Sequence, residues 1–151
     1  MMFRKENGKV NVTSLVERVS RFTVVMRNED RHSEPIMEAL IAGLAPLPAE
    51  ARQSITFDRG TEFSAWRRLK DGIGAASWFC DPQAPWQKGT VENTNGRLRK
   101  PFPARSPTAL TNRHPRSICQ RLNSTLRMCL GYGTPAEDFE RNRVVLRNRL
   151  E

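Results

Sequence analysis

Two carboxylates stand where a divalent cation could use them. Asp58 follows the short β-branched and aromatic run Ser54-Ile55-Thr56-Phe57 and precedes the turn-forming pair Arg59-Gly60, so the sequence places it at the mouth of a strand. Glu92 comes after 33 intervening residues, on the breaker-poor stretch Thr90 to Arg99 that follows the Pro-rich loop Asp81-Pro82-Gln83-Ala84-Pro85-Trp86-Gln87-Lys88-Gly89. Oxygen donors of this kind hold Mg²⁺ or Mn²⁺. Two such ions about 4 Å apart can activate a water or a 3′-hydroxyl while stabilising the oxygen that leaves phosphorus. An arbitrary Asp and Glu are ordinarily two solvated surface groups, so the surroundings decide between the readings.

On a helix over Thr90 to Arg99, the residues Glu92, Asn95 or Gly96, and Arg99 recur at i, i+3 or i+4, and i+7, which puts an acid and a base on one face with a bare position between them. A phosphate backbone could pass over Gly96. Arg97 and Arg99 would then contact phosphates, flanked by Lys88 and Lys100, while Asn93 and Asn95 would hydrogen-bond to nucleotide edges or sugars. The plainer alternative is a polar surface helix with an unhelpful glycine.

The charge distribution favours the first alternative. The chain has 151 residues and a net charge of +9. From Met1 to Glu92 there are 13 basic and 12 acidic side chains, and from Glu137 to Glu151 four of each, whereas Asn93 to Ala136 holds eight cations and no acid. Such a stretch suits a polyanion, nucleic acid first among them. Hydrophobic content of 38% and charged content of 27% fit one globular, soluble, intracellular domain with a core of its own, and no membrane span or signal segment is evident. Cys80, Cys119 and Cys129 lack zinc or disulfide spacing.

The elements that must position the two acids follow from pattern. Asn11 to Val16 and Arg21 to Arg27 read as a hairpin. Ser33 can cap a helix that places Ile36, Met37, Leu40, Ile41 and Leu44 on one face and stops before Pro46. Ser54 to Phe57 and Ala75 to Phe79 read as strands, with a short helix around Glu62 to Leu69 between them. Pro101, Pro103 and Pro107 make a linker. Ile118, Leu122, Leu126 and Cys129 then share a helical face, and Thr134-Pro135-Ala136-Glu137 spells a capping box. This order predicts an α/β protein with a mixed sheet flanked by helices. Trp78 and Trp86 are read first as packing residues, with base stacking as the alternative.

Two strings in the sequence resemble a known family. Phe57-Asp58-Arg59-Gly60-Thr61-Glu62 and the run from Trp78 through Asp81-Pro82-Gln83-Ala84-Pro85-Trp86-Gln87-Lys88-Gly89-Thr90-Val91 to Glu92-Asn93-Thr94-Asn95-Gly96 are similar to the DDE transposases of bacterial insertion sequences, in particular the branch numbered thirty. Leu15 to Phe22 and Gly131 to Phe139 match as well. The resemblance runs from about Asn11 to Phe139 and implies a ribonuclease-H-like integrase core, partial here, over residues 1–139; the basic tail over 140–151 departs from the family. It implies Asp58 and Glu92 as the second and third acidic ligands of a two-metal Mg²⁺ or Mn²⁺ site, and Arg99 as a basic residue seven positions on. The implied activity is hydrolysis and strand transfer at element ends, with element and target DNA as partners, self-association or pairing with an intact transposase, and a bacterial cytoplasmic, nucleoid-associated location.

The family's first aspartate falls just before the residues aligned with Met1, on an opening strand that is therefore incomplete here. The expectation is a weakened metal site and impaired strand transfer. Glu17 and Glu62 are poor substitutes, because Glu17 belongs to the hairpin string and Glu62 lies one turn past Asp58. A rival reading keeps the fold and drops the chemistry, leaving a DNA-binding or inhibitory fragment.

Overall fold

The computed structural model of the chain describes residues 9–82, 84–99 and 113–148. Strands β1 (Asn11–Val16) and β2 (Thr23–Asn28) pair antiparallel, with Asn11 opposite Asn28 and Val16 opposite Thr23. Leu15 and Met26 pack against one apolar cluster, and Val12 and Val25 belong to another. Both faces of the hairpin are thus covered, which is why its apolar residues fall at both odd and even positions of the strands instead of keeping to one face. The turn is fastened by Glu17. Its carboxylate accepts the N–H groups of Val19 at 2.9 Å and Ser20 at 2.6 Å and the Ser20 hydroxyl at 2.5 Å.

Helix α1 (Ser33–Leu44) buries Ile36, Met37, Leu40 and Leu44, as its spacing requires. Ser33 does not cap it. His32 occupies the cap position without a side-chain bond, and the Ser33 hydroxyl accepts the Ala65 N–H at 2.7 Å, fastening the helix start to the segment before α2. Strands β3 (Ser54–Phe57) and β4 (Ala76–Phe79) pair parallel, joined through a 3₁₀ turn at Thr61–Phe63 and helix α2 (Arg68–Ile73). The helix lies later than the sequence suggests. Leu69 and Ile73, four residues apart, are the pair that reaches the α1 cluster, so the α-helical turn forms around them and the residues before it take tighter i→i+3 bonds.

Among the described residues, the mixed pairing expected of the α/β class is divided between two two-stranded sheets. Ile55 and Phe57 of β3 join α1, Phe63, Leu69, Ile73 and Ala75 in the larger core. Among the described residues strand β4 pairs with β3 alone, and Trp78 is 62% exposed instead of packed.

Helix α3 (Gly89–Arg99) and helix α4 (Arg113–Asn123) cover the other face of the hairpin through Leu98, Ile118 and Leu122. Helix α4 also closes the outer edge of β2. Asn123 Oδ1 accepts the Thr23 N–H at 2.9 Å, Asn123 Nδ2 donates to the Thr23 carbonyl at 2.8 Å, and Cys119 Sγ accepts the Val25 N–H at 3.1 Å. Four helical residues advance about 6 Å and two strand residues about 7 Å, so positions four apart on α4 can serve positions two apart on β2. Edge strands covered in this way do not pair with other chains.

The α4 helix stops at Asn123, so Leu126 and Cys129 do not continue its buried face and both are exposed. Helix α5 (Pro135–Asn148) begins with the capping box that the sequence spells. The Glu137 N–H bonds Thr134 Oγ1 at 3.2 Å, and the Glu137 carboxylate accepts the Thr134 N–H at 2.9 Å. Phe139 of α5 stacks on Phe22 with ring centroids 4.6 Å apart, joining the C-terminal helix to the hairpin turn. Among the described residues no helix is long and apolar enough to cross a membrane.

Candidate metal and nucleic-acid site

Asp58 sits directly after β3, half-buried, in a turn that its own side chain helps to set: Oδ1 accepts the Gly60 N–H at 3.3 Å. Arg59 Nε donates to the Cys80 carbonyl at 3.2 Å, so the same turn is fastened to the end of the neighbouring strand β4. The aspartate is therefore carried by the end of a parallel strand pair. In open α/β sheets ligands collect outside the carboxyl ends of such strands.

Glu92 lies in the first turn of α3 and is exposed. Two side-chain bonds seat that helix on the hairpin. Arg21 Nη1 donates to Thr90 Oγ1 at 2.7 Å, and Ser14 Oγ donates to Asn95 Oδ1 at 2.6 Å. Buried Leu98 completes the seating a turn later. Arg21 reaches Thr90 from a left-handed backbone conformation, φ +63°, which non-glycine residues seldom adopt. Composition and spacing gave no warning of Ser14, Arg21 or Thr90. The signal available was that Arg21 belongs to the Leu15 to Phe22 string and Thr90 to the string that runs from Trp78 to Gly96.

The residues assigned to nucleic acid divide into three groups. Asn93 and Arg97 are exposed, with Arg97 Nε donating to Asn93 Oδ1 at 3.4 Å, and Gly96 is exposed with open space where a Cβ would stand. Asn95 is half-buried and spends its carbonyl oxygen on Ser14. For Lys88 and Arg99 the structure describes the helical backbone alone, and Lys100 lies outside the described residues, as do the linker prolines and the opening residues 1–8. On α4, Arg113, Arg116 and Arg121 all face solvent.

The donor chemistry fits a hard cation. Asp58 and Glu92 offer carboxylate oxygens, which suit Mg²⁺ or Mn²⁺. Among the described residues no group of three or more His, Cys, Asp or Glu side chains is gathered for a metal ion.

This architecture has counterparts. A chain in the solved structure of a simian T-cell lymphotropic virus intasome, in complex with the PP2A regulatory subunit B56 gamma, superposes with a TM-score of 0.62 at 18% identity, covering 85% of this chain and 52% of that one. The fold is the ribonuclease-H-like fold of integrases. The chain's homologues are transposases of the IS30 family of insertion sequences. It is 38% identical over 132 residues to the transposase InsI of element IS30C from Escherichia coli (strain K12), covering 87% of this chain and 34% of that protein. It is 33% identical over 124 residues to the transposase of element IS1086 from Cupriavidus metallidurans, covering 82% of this chain and 37% of the relative. The chain thus spans about a third of the length of the curated relatives it matches. No family model matches it.

Proposed function

We propose that these residues form the integrase-type core of an insertion-sequence transposase, with residues 1–139 as the core and 140–151 as a basic tail, working on DNA in the bacterial cytoplasm. The observation that carries this reading is the presence of a strand-end aspartate, Asp58, and a helix-start glutamate, Glu92, in a chain whose homologues are transposases. Asp58 and Glu92 would hold Mg²⁺ or Mn²⁺. When bound, such ions lower the pKa of an attacking water or hydroxyl and stabilise the oxygen that leaves phosphorus. The chain's own residues supply the rest. The Asp58 turn and the Arg59 bond to β4 fix one carboxylate, while Arg21 and Ser14 fix the helix that carries the other. Arg97 and Asn93, with Arg99, Lys88 and Lys100, would draw the phosphate backbone alongside, and Asn95 would offer its amide group to a nucleotide edge. No nucleophilic side chain is required, because water and a DNA hydroxyl do the attacking.

Two carboxylates grip such an ion weakly. A polypeptide of these 151 residues alone therefore gives little strand transfer. Titration calorimetry with Mn²⁺ tests the assignment: weak binding in the wild-type chain, absent in both Asp58→Asn and Glu92→Gln. Equal Mn²⁺ binding by all three would overturn it.

A second reading is favoured by the eight cations and no acids between Asn93 and Ala136. In it the chain binds DNA through phosphate contacts, or pairs with an intact transposase and inhibits it, without chemistry of its own. Salt-sensitive DNA binding belongs to both readings. Metal-dependent nicking of element-end DNA, above the level of Asp58→Asn, belongs to the first alone.

A further inference from the structure

The loop between α4 and α5 is built inside out. In Leu126-Arg127-Met128 the two apolar side chains are 62% and 77% exposed, while the arginine between them is only 9% exposed. A chain left to water would do the reverse, hiding apolar surface and hydrating the cation. Here the backbone enforces the arrangement. The Arg127 N–H bonds the Gly133 carbonyl at 2.9 Å, the Tyr132 N–H bonds the Arg127 carbonyl at 2.9 Å, and the Gly133 N–H bonds the Leu130 carbonyl at 3.0 Å, closing residues 127–133 into a small ring. Arg127 turns inward, where Nη2 reaches the Leu122 carbonyl at the end of α4 at 3.4 Å and Nε has no partner among the described residues.

The ring also holds Tyr132, the only tyrosine in the chain, at φ +65° and 68% exposed. A left-handed conformation is costly for an aromatic residue, and such outliers persist where the surroundings fix them for a purpose. The outcome is a rigid knuckle with Leu126, Met128 and Tyr132 displayed outward. It stands within the acid-free, cation-rich stretch Asn93 to Ala136 of the sequence, after α4 with its exposed Arg121.

We propose that this knuckle is a DNA wedge: Met128 and Tyr132 insert at a base step and unstack it, while the surrounding cations hold the phosphates. The inference rests on the DNA-binding reading above and adds to it a specific point of distortion. Charge complementarity selects the occupant, since the exposed Arg113, Arg116 and Arg121 of the helix that leads into the knuckle attract a polyanion. Apolar side chains pushed into a step pay for unstacking with the extra contacts that a kinked duplex allows, and an aromatic ring can stack on the exposed base.

The test uses the 151-residue chain and short duplexes in which 2-aminopurine is placed at successive positions. Binding by the wild-type chain raises 2-aminopurine fluorescence at one or two steps, by about the amount that local unstacking gives in a free bulge. In the double variant Met128→Ala, Tyr132→Ala the rise disappears and DNA binding weakens about tenfold, with the slope of affinity against salt unchanged because no phosphate contact has been removed. Tyr132→Phe restores stacking and the signal. Both side chains are exposed, so circular dichroism melting of the variants should match the parent. Tight DNA binding with no fluorescence change, alike in wild type and double variant, overturns the wedge and leaves the DNA-binding reading standing. Failure of the wild-type chain to bind duplex even at low salt overturns both. Sedimentation showing a wild-type dimer that the double variant dissolves assigns the knuckle to a second copy and overturns the wedge.

Discussion

Arg21 Nη1 donates a hydrogen bond to Thr90 Oγ1 at 2.7 Å, which fastens the hairpin turn to the first turn of the helix carrying Glu92. The two residues are 69 positions apart in sequence, so the contact fixes where the glutamate stands relative to a different part of the fold. Replacing Arg21 with Ala removes a charged donor and should cost about 1–2 kcal/mol, seen as a fall in melting temperature of roughly 2–8 °C for a chain of this size. Arg21→Gly should recover part of the loss, because glycine adopts the left-handed conformation without strain. Equal melting of Arg21→Ala and Arg21→Gly would show that the backbone conformation there is unstrained.

Asn123 should be the least replaceable polar residue on α4. Its side chain satisfies both the N–H and the C=O of Thr23, and both residues are buried. Asn123→Ala strands two backbone groups and should destabilise by about 2–4 kcal/mol. Asn123→Asp keeps an acceptor for the N–H but turns a second acceptor toward the Thr23 carbonyl, so it should be no better than Ala near neutral pH. Urea denaturation of the two variants checks both values.

Acid should loosen the hairpin turn. Burial works against the charged form of Glu17, but hydrogen bonds from the Ser20 hydroxyl and from the backbone N–H groups of Val19, Ser20 and Arg18 outweigh it and hold its carboxyl below the ordinary value of 4.5. A carboxylate depressed on folding lends stability that is fully present above its unfolded pKa and is lost as pH falls through the folded one. Stability therefore declines as pH drops below about 4.5, and Glu17→Gln should flatten that part of the profile. Thermal melts of both proteins between neutral and strongly acidic pH decide the matter, and parallel curves would remove Glu17 from the account.

The carboxylate pair gives a further expectation. Purified chain incubated with Mn²⁺ and element-end DNA should yield no more joined product than Asp58→Asn, while duplex binding by both proteins falls steeply with added salt. Joined product well above the Asp58→Asn control would mean that Asp58 and Glu92 suffice.

Local signals carried well wherever the chain answers to its own neighbours. Thr134-Pro135-Ala136-Glu137 forms the capping box that it spells, and the α1 periodicity buries Ile36, Met37, Leu40 and Leu44 as written. Signals failed where a distant partner intervened. The Ser33 hydroxyl accepts the Ala65 N–H instead of capping its own helix, and Asn123 ends α4 at the edge of β2 before Leu126 and Cys129 can extend the buried face. For the site, the strand end at Asp58 and the helix start at Glu92 were legible because turn and breaker residues mark them. The fasteners Ser14 and Arg21 were not, since nothing in a polar side chain announces which residue 70 or 80 positions away will accept its proton.

The Thr23 to Asn123 tie spans 100 residues. At about 5–20 residues added per second, a nascent chain that has just threaded Thr23 out of the ribosome waits many seconds before the side chain that completes it exists. Until then β2 is an open template for any passing strand. Fast collapse of the α1 cluster, or a chaperone, would have to shelter it, and prematurely terminated products would be the ones to clump.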